Sequence, residues 1–128
     1  MAEASYPDDL KYHSEHDWAR IDGDTATLGI TWYAQDQLGE VVFFDPPAVG
    51  TTIAKDSPYA EVESVKAVSD VIAPLSGEIV EVNEALKDTP EQINDDSYGE
   101  GWLVKVKLSD PSEIDALMDS DSYQESLS

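Results

Sequence analysis

The chain has 128 residues, enough for one hydrophobic core but not for two, and 41% of them are hydrophobic, as in a folded rather than a disordered chain. Its 28 acidic side chains face only 7 basic ones, and the net charge of −21 argues against nucleic acid or an anionic membrane as partner. With no cysteine, disulfides, thiolate metal sites and a thiol nucleophile of the chain's own are excluded, so any redox chemistry has to arrive on a cofactor.

No apolar run approaches the ~20 residues that a membrane helix needs. Residues 1–9 are acidic and lack the basic start and apolar core of a signal or transit peptide, so they read as a flexible leader on a cytoplasmic chain. Asp22-Gly23-Asp24 separates two apolar-spaced runs, 18–21 and 25–30, and predicts a hairpin. Thr31 is placed to cap a short helix over 32–38 that Gly39 terminates. Val41-Val42-Phe43-Phe44 predicts a buried strand, stopped by Asp45-Pro46-Pro47, and a short strand over 51–54 follows. Two further runs, 59–64 and 68–73, flank Val65-Lys66-Ala67. Lys66 is therefore expected at the tip of a hairpin, although no Gly or Pro eases the turn.

Ser76-Gly77 turns the chain into a strand over 78–82, with Ile79 and Glu81 on one face and Val80 and Val82 on the other. Residues 83–87 predict a helical turn, and Thr89-Pro90 predicts a second helix start with Thr89 as cap. A polar loop over 94–101 leads to a half-buried strand, with Trp102, Val104, Val106 and Leu108 inward and Lys105 and Lys107 outward. Asp110-Pro111-Ser112-Glu113 reads as a capping box, and Ile114, Leu117 and Met118 share one side of the helix it opens. Residues 110–128 are thus a C-terminal helical extension of a single domain spanning 1–128. Short strands at regular turn spacing, with helices mainly at the end, predict a mainly-β core.

Candidate chemistry is sparse. His13 and His16 lie close to Glu15 and Asp17, but zinc wants three or four converging ligands and no further histidine exists, so two solvated histidines are expected and no metal. No nucleophile elbow and no glycine-rich phosphate loop occurs. Trp18, Trp32 and Trp102 each lie on an apolar-spaced element and are expected to anchor the core.

The strongest signal is Glu63-Ser64-Val65-Lys66-Ala67 followed by Ser69-Asp70, which resembles the lipoylation site of the glycine cleavage H proteins. The resemblance extends through Glu15-His16-Asp17-Trp18, Gly29-Ile30-Thr31, Leu38-Gly39-Glu40-Val41-Val42, Pro74-Leu75-Ser76-Gly77-Glu78 and Gly99-Glu100-Gly101-Trp102-Leu103. It implies a flattened two-sheet barrel-sandwich hybrid with the lysine hairpin at one edge. It also implies a carrier rather than an enzyme, with lipoic acid joined to Lys66 as an amide. An ordinary lysine amine is mostly ammonium at neutral pH, so acylation needs an external lipoyl ligase or transferase. The modified arm would reach roughly 14 Å, from about eleven bonds advancing ~1.25 Å each.

The implied partners are a pyridoxal-phosphate glycine decarboxylase, a folate-dependent aminomethyltransferase and dihydrolipoyl dehydrogenase. The carrier would move the aminomethyl group of glycine between the first two and electrons to the third. Glu63, Ser64 and Asp70 are the implied recognition or arm-contacting residues, and Asp17 stands where a glutamate usually holds the aminomethyl group. A lipoate or octanoyl relay protein, donating to other lipoyl domains, is the alternative. A biotin carrier is disfavoured by Val65 and Ala67 where methionine is expected. The acidity reads either as ordinary surface solvation or as a cytoplasm at molar salt, where the Debye length is about 3 Å. The scarcity of basic residues favours the second, and with it a halophilic archaeal source.

Overall fold

A computed structural model describes residues 6–127. Among these residues nine strands form two antiparallel sheets: β1 (Lys11–His13), β2 (Asp17–Asp22), β3 (Thr25–Ile30), β4 (Val41–Asp45), β5 (Thr52–Ile53), β6 (Pro58–Ser64), β7 (Val68–Ile72), β8 (Gly77–Val82) and β9 (Val104–Leu108). The larger sheet runs β1-β2-β3-β9-β8-β5 and the smaller β4-β6-β7. Neither closes into a barrel, so the mainly-β two-sheet expectation holds in its open form. The main core lies between the sheets, where Leu28, Ile79, Val104 and Val106 of the larger meet Phe44, Val62 and Val71 of the smaller.

A second cluster of Leu10, Tyr12, Trp18 and Tyr123 is sealed by the C-terminal helix α3 (Ser120–Ser126). Trp18 lies opposite Gly29 across β2 and β3, and a Cβ on Gly29 would sit 2.5 Å from the indole. Glycine there is what lets the tryptophan lie flat on the sheet. Tyr6 packs edge-on against Tyr12 and Tyr123, and its carbonyl accepts from Ser120 Oγ at 2.6 Å. The remainder of the expected leader, 1–5, lies outside the described residues.

Thr31 caps α1 (Trp32–Leu38) by accepting from the Ala34 N–H, and Gly39 ends it at φ +80°. Several local expectations need correction. In β4 the register slips between Val41, opposite Ser64, and Phe43, opposite Glu63, so Val42 is an extra residue. That bulge turns both Val42 and Phe43 to solvent instead of burying the run. A second bulge at Val80 breaks the alternation of β8, leaving Ile79 and Val82 both buried and Val80 out. Thr89 does not cap α2 (Gln92–Asp95); its hydroxyl donates back to the Ala85 carbonyl and closes the preceding 3-10 turn. Glu113 does not complete a capping box, because its carboxylate accepts instead from the Ser76 N–H and hydroxyl at 2.8 and 2.9 Å. The helix over Pro111–Ala116 is 3-10, Met118 pairs with Tyr12, and Asp119 restarts the chain as α3.

Candidate functional site

Strands β6 and β7 run antiparallel from Glu63 opposite Val68, and Val65-Lys66-Ala67 forms the tip. The turn closes without glycine because Ser64 organises it from beneath. Its N–H donates to the Ala67 carbonyl at 2.8 Å, while its buried Oγ accepts from the Lys66 and Ala67 N–H groups at 3.3 and 3.1 Å. A serine hydroxyl that folds back onto its own turn substitutes for special backbone angles. The Val65 N–H donates to the Glu40 carbonyl at 3.0 Å and ties the tip to the end of α1.

Lys66 is exposed, and its stem lies over Gly39. The Cε and Nζ atoms would be 3.4 and 3.9 Å from a Cβ at that position. Gly39 therefore serves twice, as the left-handed end of α1 and as the flat backbone beneath the lysine. Among the described residues, the ion pairs do not involve Lys66.

Beside the hairpin runs a groove of about 390 Å³ between the free edge of β7, the turn that leads into β2 (Glu15, His16) with Asp17 at its start, and α1. Its volume falls within the roughly 300–1,000 Å³ of small-molecule sites. Asp17 lines it while only 2% exposed, and its Oδ2 has no hydrogen-bond partner. Burial, then the nearby Glu15 charge, raises the Asp17 carboxyl well above the usual carboxylate range. The Tyr59 hydroxyl is likewise buried and unpartnered, and burial followed by the Asp17 charge pushes it up. These two are the unpartnered buried side-chain groups among the described residues. A hollow of about 400 Å³ beyond Gly39, between Trp32 and Asn94, has no such group.

The histidines are not solvated as expected. His13 is buried, with Nε2 2.6 Å from Asp56 Oδ1. His16 sits at φ +72° at the groove wall, its ring 4.6 Å from that of Tyr33 and its Nδ1 2.8 Å from Tyr123 Oη. Burial lowers the His16 pKa, partly opposed by Glu15 and aided by His13. Each imidazole is engaged by a neighbouring side chain.

Of the residues singled out in the sequence, Lys66 stands at the tip, Ser64 beneath it, and Asp17 and Asp70 on the groove. Glu63 is directed to the opposite, outer face, between Phe43 and Val68. Gly39, Tyr59 and the His16–Tyr33 wall were not singled out for the site. Gly39 was readable only as a helix stop, and nothing in the local pattern marks Tyr59 as a polar group facing inward.

The sequence profile of the glycine cleavage H-protein family matches residues 10–128. The glycine cleavage system H protein of Symbiobacterium thermophilum is 52% identical over 120 residues, covering 94% of each chain. That of Halorhodospira halophila is 51% identical over 120 residues, covering 93% of this chain and 92% of the relative. The crystal structure of a glycine cleavage system H protein from Mycobacterium marinum superposes with a TM-score of 0.85 at 42% identity, covering 93% of this chain and 96% of that one.

Proposed function

The chain belongs to the glycine cleavage H-protein family, the lipoyl-carrying component of the glycine cleavage system, and from that premise we propose that Lys66 bears the lipoyl group as an amide. The observation that carries this is the joining of an exposed lysine tip to a groove whose wall holds a buried, unpartnered carboxyl. When attached, the dithiolane supplies reversible disulfide chemistry that a cysteine-free chain lacks.

The residues present fit such a group. Gly39 leaves the lysine stem an unobstructed bed, the free edge of β7 offers backbone groups along the groove, and Asp17 is the acceptor at its wall. In the resting carrier Asp17 keeps its proton to higher pH than an ordinary carboxyl, because burial penalises its charge. An ammonium brought to this wall would reverse that balance, since an opposite charge at contact favours the carboxylate, and Asp17 would give its proton to solvent. The resulting charge-assisted hydrogen bond contributes about 1.5–3 kcal/mol.

On this reading the chain is not itself a catalyst. Its partners are the glycine decarboxylase, the aminomethyltransferase, dihydrolipoyl dehydrogenase and a lipoyl ligase or transferase. Its setting is a cytoplasm at high salt. Among the described residues no helix is long and apolar enough to cross a membrane. Peptide mass spectrometry of native protein tests the attachment, with a lipoyl increment expected on the peptide containing Lys66. The increment on Lys55 or Lys87 instead, or a biotin mass, would overturn it.

A further inference from the structure

We propose that the outer face of the β4-β6-β7 sheet, centred on Phe43, is the docking surface for the enzyme that acylates Lys66, and that this enzyme presents an apolar pocket rimmed by basic side chains. The proposal rests on the reading of Lys66 as the attachment point. Among the described residues six large hydrophobic side chains are exposed, and four of them lie here: Val42 at 43%, Phe43 at 55%, Val65 at 68% and Val68 at 58%. The strand register gathers them. Phe43 and Val68 both lie opposite Glu63, Val42 is held out by the bulge, and Val65 adjoins the lysine in the tip. Exposed apolar residues grouped around an aromatic mark an interaction site rather than scattered surface. A bulge that holds an extra apolar residue outward re-aims the strand surface toward a partner.

The next row on the same face fixes the partner's charge. Asp45, Glu61 and Asp70 lie opposite one another across the three strands and all are exposed. A second copy of this chain would bring acid against acid, so self-association through this face is opposed, whereas a basic rim is complementary.

Reach selects the acylating enzyme among partners. The bare lysine extends roughly 6 Å from its Cα, five bonds at ~1.25 Å. Glu63 precedes Lys66 by three residues, at most about 10 Å even if the chain were fully extended. An enzyme that brings an activated acyl group to Nζ therefore has to cover the tip and this adjoining row. The amine attacks the carbonyl carbon of an acyl adenylate, the C–N bond forms, the C–O bond to AMP breaks with its electron pair, and the ammonium proton passes to solvent. Enzymes that later meet the arm, at roughly 14 Å reach, work farther from this face.

The test measures acylation of unmodified protein by a lipoate–protein ligase with lipoate and ATP, followed by intact mass. Phe43→Asp should lower kcat/KM by about 10- to 100-fold, mostly through KM, as loss of an interface anchor does, while Phe43→Leu retains most of the rate. Asp45→Lys with Glu61→Lys should weaken acylation and flatten its salt dependence. Val49→Ser and Val80→Ser, exposed apolar residues elsewhere, should leave it unchanged. Thermal melts establish that each variant is folded. Reaction of Lys66 with N-hydroxysuccinimidyl acetate should be the same in Phe43→Asp as in the wild type; an equal loss there would show an altered lysine and overturn the proposal. Wild-type rates for folded Phe43→Asp would overturn it while leaving the attachment reading intact. Failure of the wild type to be acylated at Lys66 would overturn both.

Discussion

At the scale of single residues the site is built from groups that are costly to bury. Asp17 loses hydration and recovers no hydrogen bond at Oδ2. Its folded pKa lies above the unfolded value near 3.9. The folded state therefore binds the extra proton, and its stability is fully present below the unfolded pKa and lost as pH rises through the folded one. Asp17→Asn should accordingly raise the melting midpoint at neutral pH, with a gain of about 1 kcal/mol moving it by about 4 °C, and should remove that fall with pH. Thermal melts between pH 4 and 8 check this, and an Asn variant less stable than wild type at neutral pH would refute it. On the proposed function, in which Asp17 meets the cargo rather than Lys66, the same variant should shorten the life of the aminomethyl-loaded carrier without changing lipoylation. Ser64 is the opposite case, a buried hydroxyl wholly used by its own turn. Ser64→Ala leaves the Lys66 and Ala67 N–H groups without their acceptor and should cost about 1–2 kcal/mol, with faster amide exchange at Ala67.

At the scale of elements, what could be read in advance depended on the range of the interactions involved. The Asp22-Gly23-Asp24 hairpin, the Thr31 cap and the alternation of β9 are local, and each formed as its own residues dictate. The lysine hairpin was equally legible, and its lack of Gly or Pro is explained by the Ser64 bonds. The bulges at Val42 and Val80 were not legible, because an extra residue is defined only by the register of the partner strand. The groove was legible in part: the resemblance pointed to Asp17 and Asp70, both of which line it, whereas Tyr59, behind the groove, comes near Asp17 only through the packing of the two sheets. Glu113 shows the same limit, since its Ser76 partner lies 37 positions away. Helix α3 is held by a contact of that kind. Tyr123 Oη lies 2.8 Å from both His16 Nδ1 and Thr31 Oγ1, joining α3 to the groove wall and to the cap of α1. Tyr123→Phe removes both bonds and should cost about 1–3 kcal/mol, and amide exchange should quicken in α3 first. Uniform quickening across both sheets instead would show that α3 is not a separately held element.

For the molecule as a whole the governing quantity is charge. With a net −21 on 14.0 kDa, only two lysine–carboxylate ion pairs occur among the described residues, Lys87–Glu84 and Lys105–Glu81, beside the His13–Asp56 contact. The two sheets treat their outer faces differently. In the larger, Glu78 lies opposite Lys107 and Glu81 opposite Lys105, whereas in the smaller Asp45, Glu61 and Asp70 form an unrelieved row. Like charges directly opposite destabilise a sheet, and neighbouring strands are only about 4.8 Å apart. That spacing exceeds the Debye length of about 3 Å at 1 M salt but is half of the ~10 Å at 0.1 M. Screening therefore relieves this row at molar salt and fails as salt is removed. Repulsions of a few tenths of a kcal/mol each, repeated over the acidic surface, are comparable with a total stability of about 5–15 kcal/mol. The melting midpoint should fall steadily as potassium chloride is lowered from molar concentration to below ~0.1 M. Fluorescence of Trp18, buried, and of Trp32 and Trp102, half-buried, reports the transition. Glu61→Lys places a cation between Asp45 and Asp70 and should make the dependence shallower, raising the low-salt midpoint more than the high-salt one. A midpoint indifferent to salt in the wild type would mean that the acidity is ordinary surface solvation. A salt dependence unchanged in Glu61→Lys would place the repulsion elsewhere than the small sheet.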